Sequence, residues 1–308
     1  MNNNPLVTIL TTCYNHESFV GEAIESVLSQ TFTDWEMIIL DDLSVDNSRE
    51  IIRDYASHNQ KIKYFFDDEN LDQGARFNTY LHKVTSKYIA FLDSDDFMQP
   101  DRLQKQVDIM ENDSEIGVCH SDGKVIDSRV DISKKDLWQT KNDDLLFSDI
   151  HRKPLKKSGD VFHELLNGNF IFFSSSLVRT SLTKDINFRT IRLGIDWIFW
   201  LELAEKTKFY FIEEPLTNYR IHGNGIMQTT FKTNNFFRSR EIVFDEYYDK
   251  LVLNQKKEYS YMLSRYNTKY GDYEKSYHYA KKIFKNRDYR MKPIFNLISS
   301  FIKKHFFN

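Results

Sequence analysis

The chain has 308 residues, of which 41% are hydrophobic, 28% charged and 15% aromatic. That composition excludes the disordered and fibrous classes, and a formal net charge of −3 excludes a nucleic-acid binder as a whole. The near-neutral total hides an asymmetry: residues 254–308 hold 13 Lys and Arg against 4 Asp and Glu, a net of +9, which leaves −12 for the rest.

The first 120 residues alternate strand and helix. Leu6 to Leu10 is a short β-branched run, followed by Glu17 to Gln30 with apolar residues at helical spacing. Strands are then expected at Glu36–Leu40, Lys61–Phe66, Tyr88–Leu92 and Ile116–His120. Helices are expected between them near Asn47–Ser57, Ala75–Val84 and from Pro100, a residue suited to a first helical turn. Continuous apolar strands alternating with helices imply an α/β fold with a parallel sheet covered on both faces. The polar stretch from Asp127 to Lys157 reads as a long excursion. Asp160–Leu166 and Trp197–Lys206 read as helices, and Phe170–Arg179 and Phe209–Arg220 as strands. From Phe231 the chain reads mostly helical, with one tetratricopeptide-like hairpin at Tyr270-Gly271-Asp272-Tyr273 and no repeat array. Cys13 and Cys119 are too few for a disulfide scaffold and lack metal spacing, so a reducing compartment and a packing role are expected. The start lacks a basic n-region, so no signal peptide is expected, and no run approaches the ~18 apolar residues of a membrane span.

Ligands of open parallel sheets bind outside the carboxyl ends of the strands. Those ends carry Thr12-Cys13-Tyr14-Asn15, Asp41-Asp42, Asp67-Asp68 and Asp93-Ser94-Asp95-Asp96. Neither G-x-G-x-x-G nor a P-loop is present, which excludes the ordinary dinucleotide and NTPase readings at the motif level. Clustered carboxylates repel each other and a phosphate unless a cation sits between them. Mg²⁺ or Mn²⁺ suits oxygen ligands and bridges carboxylates to phosphates. Asp93 and Asp95, two apart on an extended segment, point to one side and read as a metal–diphosphate site. The plain alternative is a solvated acidic turn capping the next helix.

These residues resemble the inverting family 2 glycosyltransferases, nucleotide-sugar-dependent enzymes of the GT-A fold. The matching text is Val7 to Asn15, Ala23 to Phe32, Trp35 to Asp46 and Tyr88 to Asp96, close over about the first 120 residues and looser to His222. The resemblance implies a GT-A body at 1–230, with a nucleotide-binding half at 1–122 and an acceptor half at 123–230, then a basic helical extension at 231–308. It implies that Thr12 and Tyr14 flank a uracil, Tyr14 by stacking, and that Asp42 accepts the uracil N3–H. Arg76 is expected by the nucleotide or its phosphates, Asp93 at the ribose or metal, and Asp95 on the metal. Asp196, in Gly194-Ile195-Asp196-Trp197, aligns with the catalytic base, although Ile195 replaces the usual acid before it. His222, in Tyr219-Arg220-Ile221-His222, is expected at the metal or the leaving diphosphate, and Gly223-Asn224-Gly225 reads as a mobile segment. Asp122 and Trp197 are candidate donor or acceptor contacts. Two departures stand out: Thr12 replaces a common Pro, and Leu43 replaces a common Gly. Leu43 implies that the turn after Asp42 does not need positive φ.

The expected activity is metal-dependent inverting transfer of a sugar from a UDP-sugar to a glycan or lipid-linked glycan, as in surface-polysaccharide synthesis, with Mn²⁺ or Mg²⁺. The amphipathic, basic segment Phe295 to Phe307 has two readings, a solvated helical surface packed on the catalytic domain or a contact with anionic lipid; the second would make a cytoplasmic protein peripheral to the inner membrane face. The alternatives are a non-catalytic nucleotide-sugar-binding assembly protein and a sugar nucleotidyltransferase, whose glycine-rich first loop is missing. A phosphoacceptor receiver domain also gathers strand-end aspartates but leaves Tyr14 and Asp196 unexplained.

Overall fold

The β-branched run after the N-terminus becomes the middle of a parallel sheet. In the computed structural model, β1 (Val7–Cys13) pairs in parallel with β2 (Trp35–Asp41) on one side and β4 (Tyr88–Phe91) on the other. β3 (Ile62–Phe66) extends the sheet beyond β2. The structure describes residues 4–67, 71, 73–128, 146–150, 157–191, 194–222 and 237–285. The crossovers are α1 (Val20–Leu28), α2 (Ser48–His58), α3 (Gln73–Leu81) and, after the two-residue β5 (Phe97–Met98), α4 (Arg102–Asn112). Val20, Ala23, Ile24 and Val27 of α1 share one helical face and are fully buried in the same cluster as Val7, Ile9, Met37 and Ile39. Strand periodicity and helix periodicity thus meet in one core.

The second half makes the sheet mixed. β6 (Ile116–Asp127) is followed by the short helices α5 (Phe147–Ile150) and α6 (Phe162–Leu165), then by β7 (Leu177–Arg179), α7 (Ile195–Ala204) and β8 (Lys208–Ile221). The strand order is β3-β2-β1-β4-β7-β6-β8-β5, with β7 antiparallel to both neighbours and β5 antiparallel to β8. β6 and β8 run parallel with register shifts on both sides of Asp122. The strand expected over Phe170–Arg179 shrinks to three residues, preceded by a 3₁₀ turn at Phe173–Ser175. Serine hydroxyls explain this. Ser175 and Ser176 each donate to the carbonyl three residues back at 2.7 Å, which holds a turn rather than a ladder. α7 is apolar all round and is buried: Ile198, Phe199, Trp200 and Leu201 are at most 1% exposed. Its rings join Phe77, Phe91, Phe173 and Phe188, which accounts for much of the aromatic excess.

Contacts divide the chain into Met1–Gly225 and Ile226–Asn308. The second unit contains α8 (Arg238–Glu246), α9 (Leu253–Lys269) and α10 (Tyr273–Lys285). Gly271, at φ +83, makes the left-handed turn between α9 and α10, as the hairpin reading requires. Buried Glu241 of α8 accepts from Asn267 of α9 and Lys275 of α10, so one carboxylate ties three helices. Gly223-Asn224-Gly225, most of the 127–157 excursion and the amphipathic tail lie outside the described residues.

Candidate active site

The strand-end aspartates separate into two groups with different counter-charges. The first group is Asp41, Asp42 and Asp67, at the ends of β2 and β3. Arg49, on α2, donates from Nε to Asp41 Oδ1 at 2.5 Å and from its other end to the Asp67 carbonyl at 3.1 Å. Arg76, on α3, is 1% exposed; it donates from Nε to Asp67 Oδ2 and from its terminal nitrogens to Asp42 Oδ1 and the Leu71 carbonyl. Two guanidiniums therefore offset two of the three carboxylate charges in this group. The Arg76 charge is thus held between Asp42 and Asp67. Burial pushes the Asp42 carboxyl up, and the Arg76 charge opposes that shift.

The turn after Asp42 also departs from expectation. Leu43 has φ +56, a left-handed conformation that costs a non-glycine residue roughly 1–2 kcal/mol. Asp41 enforces it by accepting from the Ser44 backbone N–H at 3.1 Å. Asn15, at φ +54, faces it and clasps the same turn, donating its N–H to Ser44 Oγ and accepting from the Val45 N–H on Oδ1. The two strained turns flank Tyr14, which is 53% exposed and so presents a free aromatic face at the sheet edge. Thr12 is half-buried and accepts from Gln73 on its hydroxyl and from Ser94 N–H on its carbonyl.

The second group is Asp93, Asp95 and Asp96, after β4. Among the described residues no arginine side chain donates to their carboxylates; the Arg220 side chain binds the Asp95 carbonyl, and its backbone N–H donates to Asp96. Ser174 Oγ donates to Asp96 Oδ2 at 2.5 Å and receives the Asp93 N–H at 3.0 Å, fixing the loop. Burial and the Asp95 and Asp196 charges push Asp93 up to about 7, and burial pushes Asp96 well up. Burial opposes ionisation of Asp95 too, but its hydrogen bond with His222 and the two imidazoles hold it below the ordinary carboxylate range. His222 Nε2 lies 3.0 Å from Asp95 Oδ2. His16, His222 and Asp95 offer ligand atoms within 4.8 Å of one another. This donor set fits a divalent ion.

Asp196 stands apart, in the first turn of α7. Asn169 Nδ2 donates to its Oδ2 at 2.6 Å. Burial pushes its carboxyl up to about 6, against the backbone N–H groups of the helix start and the Asn169 amide. A carboxylate of that basicity is still ionised at neutral pH and takes a proton well. Asp122 is 2% exposed and accepts from the Gly123 N–H, at the β6 register break. Trp197 is 3% exposed and donates its indole N–H to the Leu165 carbonyl at 2.7 Å. Its ring serves the core. Cys13 and Cys119 are buried thiols, with burial pushing Cys13 up to about 11, as packing residues should be.

Sequence reasoning missed His16, Asn169 and Ser174. Asn169 and Ser174 carry no motif. His16 had a signal, since it immediately follows the strand-end text Tyr14-Asn15, but its partners lie far away in the chain.

A family profile described as Glycosyl transferase family 2 matches residues 8–186. A Bacillus subtilis protein described as a teichuronic acid biosynthesis glycosyltransferase, TuaG, is 28% identical over 247 residues, covering 77% of this chain and 88% of that one. Among solved structures, S. aureus TarS 1-349 in complex with UDP-GlcNAc superposes with a TM-score of 0.62 at 14% identity, covering 97% of this chain and 91% of that one. A Pyrobaculum calidifontis mannosyltransferase in complex with GDP-Man and Mn²⁺ gives a TM-score of 0.54 at 13% identity, covering 96% and 73%.

Proposed function

The chain belongs to the family 2 glycosyltransferases and has the GT-A fold, and from that premise we propose that it moves a sugar from a UDP-sugar to a hydroxyl of a glycan or lipid-linked glycan, with inversion. The observation that carries this reading is the division of labour among the carboxylates. Asp42 is held by Arg76 beside the exposed face of Tyr14, which suits the edge and plane of a pyrimidine. The Asp95 carboxylate lies against His222 and, among the described residues, takes no arginine, which suits a cation on a diphosphate. Asp196, in the first turn of α7, is raised in basicity to about 6 and held by Asn169, which suits a base.

In this reading Tyr14 stacks on the uracil, Asp42 accepts its N3–H, and Thr12 lines the base. Asp93 contacts the ribose, and Asp122 is a donor-sugar contact. Asp95 and His222 hold Mn²⁺ or Mg²⁺, which when bound neutralises charge on the diphosphate. Asp196 takes the acceptor proton as that oxygen attacks C1 and UDP leaves from the opposite face. UDP-GlcNAc on TarS and GDP-Man with Mn²⁺ on the Pyrobaculum enzyme support the donor class and the metal. The teichuronic acid relative supports a surface-polysaccharide acceptor. The fixed geometry of Asp196 favours transfer over a non-catalytic binding role or nucleotidyl transfer.

A panel of UDP-sugars with Mn²⁺, scored for UDP release, tests the reading. One or more sugars are expected to give turnover. Asp95→Ala is expected to remove most of the metal-dependent gain in UDP affinity by calorimetry; an unchanged gain contradicts the metal assignment.

A lipid-linked acceptor would place the enzyme at the inner face of the membrane, touching it through the basic tail. No helix among the described residues is long and apolar enough to cross a membrane. Flotation with anionic liposomes is expected to need the residues after Met291, and equal flotation of the truncated chain removes this part of the reading.

A further inference from the structure

We propose that His16 is a third protein ligand of the metal, so that two imidazoles and one carboxylate hold it, and that this donor set selects a manganese- or cobalt-class dication over Mg²⁺. The proposal rests on the metal-dependent reading above. It adds a residue and a selectivity that the strand-end aspartates alone do not imply.

Three distant segments meet at this point: the loop after β1 supplies His16, the loop after β4 supplies Asp95, and the end of β8 supplies His222. Their ligand atoms lie within 4.8 Å of one another. The two imidazoles meet edge to face, with ring centroids 5.5 Å apart. His222 already has Asp95 at 3.0 Å.

The setting of His16 is that of a ligand rather than a filler. Its Nδ1 is 2.7 Å from Ser94 Oγ, and Ser94 is fully buried between the two aspartates of Asp93-Ser94-Asp95. With Nδ1 engaged, Nε2 is the nitrogen left for a metal. Metal-bound imidazoles commonly have their second nitrogen held in this way, which fixes tautomer and ring plane. The His16 backbone N–H donates to Ser48 Oγ at 2.9 Å, and Phe19 packs on the ring with centroids 5.9 Å apart. The ring is thus fixed before any ion arrives. A purely structural His16 would need only the Ser94 contact and would leave metal binding untouched.

The donor set decides the metal class. Mg²⁺ prefers oxygen ligands and retains its waters. Imidazole nitrogens shift affinity toward the later first-row ions, in the order Mn²⁺ below Co²⁺. Three protein ligands on a six-coordinate ion leave room for diphosphate oxygens and water.

Pulsed electron paramagnetic resonance on the Mn²⁺-loaded full-length protein with UDP reads the ligands directly. The expected result is nitrogen coupling from two imidazoles in the wild type and from one in His16→Ala. Calorimetry with UDP present should show the Mn²⁺ affinity of His16→Ala and His16→Gln falling by at least the ~10–100-fold that loss of an outer-shell partner costs. Mg²⁺ affinity should fall less, so the ratio between the two metals narrows. Coupling from a single imidazole in the wild type overturns the proposal and leaves the metal-dependent reading standing. So does unchanged Mn²⁺ affinity in both variants. A wild type that binds no Mn²⁺ in the presence of UDP overturns both. The wild-type spectrum needs no variant to fold.

Discussion

Replacing Asp196 with asparagine is expected to lower kcat by about 10²–10⁴-fold, the usual worth of a positioned general base, while UDP affinity stays close to that of the wild type. The substitution keeps the shape of the side chain and removes only its capacity to take a proton. Asn169 can still donate, because the new amide can turn its oxygen toward Nδ2, now 2.6 Å from Asp196 Oδ2. Folding should not suffer. Burial raises the Asp196 carboxyl from 3.8 to about 6, so the folded state holds this proton more tightly than the unfolded chain does. A carboxylate with a raised folded pKa loses stability as pH climbs through that window, and at neutral pH the wild type carries the cost of ionising it. The amide does not. The same shift fixes a pH dependence: a base must be ionised, so wild-type kcat should fall as pH drops below about 6. Near-normal turnover in the variant, or a wild-type profile flat from pH 5 to 8, sinks the assignment.

The nucleotide half was legible in the sequence because its signals are local. Strand and helix periods alternate cleanly through Met110, and each apolar run ends in the residues that line the sheet edge. β1, β2 and β4 lie where the runs predicted, and the GT-A fold follows. The described residues after 122 were less legible because their structure depends on side-chain bonding that period does not report. Phe170–Arg179 reads as one strand, yet Ser175 and Ser176 fold its first half into a turn. That turn then supplies Ser174 to the aspartate loop. Leu43 misled in the opposite direction. Its type argues against positive φ, but Asp41 and Asn15 fix the backbone on either side of it, and the turn absorbs the strain. His16 has only a faint sequence signal, its place after Tyr14-Asn15, because its neighbours Asp95 and His222 come from distant loops brought together by the sheet. Trp197 shows the limit of residue type: an aromatic beside a candidate base suggests a sugar platform, but a helix apolar on all sides must bury it.

Arg76→Met should be the most destabilising single change at the nucleotide edge. Methionine keeps the stem and removes the fork that joins α3 to β2 and to the end of β3. Removing one partner of a buried ion pair strands the other charge, at a cost toward the low end of ~3–5 kcal/mol, because Asp42 and Asp67 keep some solvent access. At roughly 2–4 °C per kcal/mol for a domain of this size, Tm should fall by the order of 6–12 °C. The deficit should depend on pH in a definite direction. Burial already raises the Asp42 carboxyl, and Arg76 is what restrains it. Without Arg76 the folded-state pKa rises further, so the penalty is largest above that pKa and fades as acid protonates the group. Arg76→Lys should recover only part of the loss, since a point charge cannot serve Asp42, Asp67 and the Leu71 carbonyl together. Adding Asp42→Asn and Asp67→Asn to Arg76→Met should recover much of the stability, because the stranded charges go. A Tm within about 2 °C of wild type for Arg76→Met, or a deficit that persists unchanged into acid, would mean that the guanidinium neither bridges nor neutralises the two carboxylates.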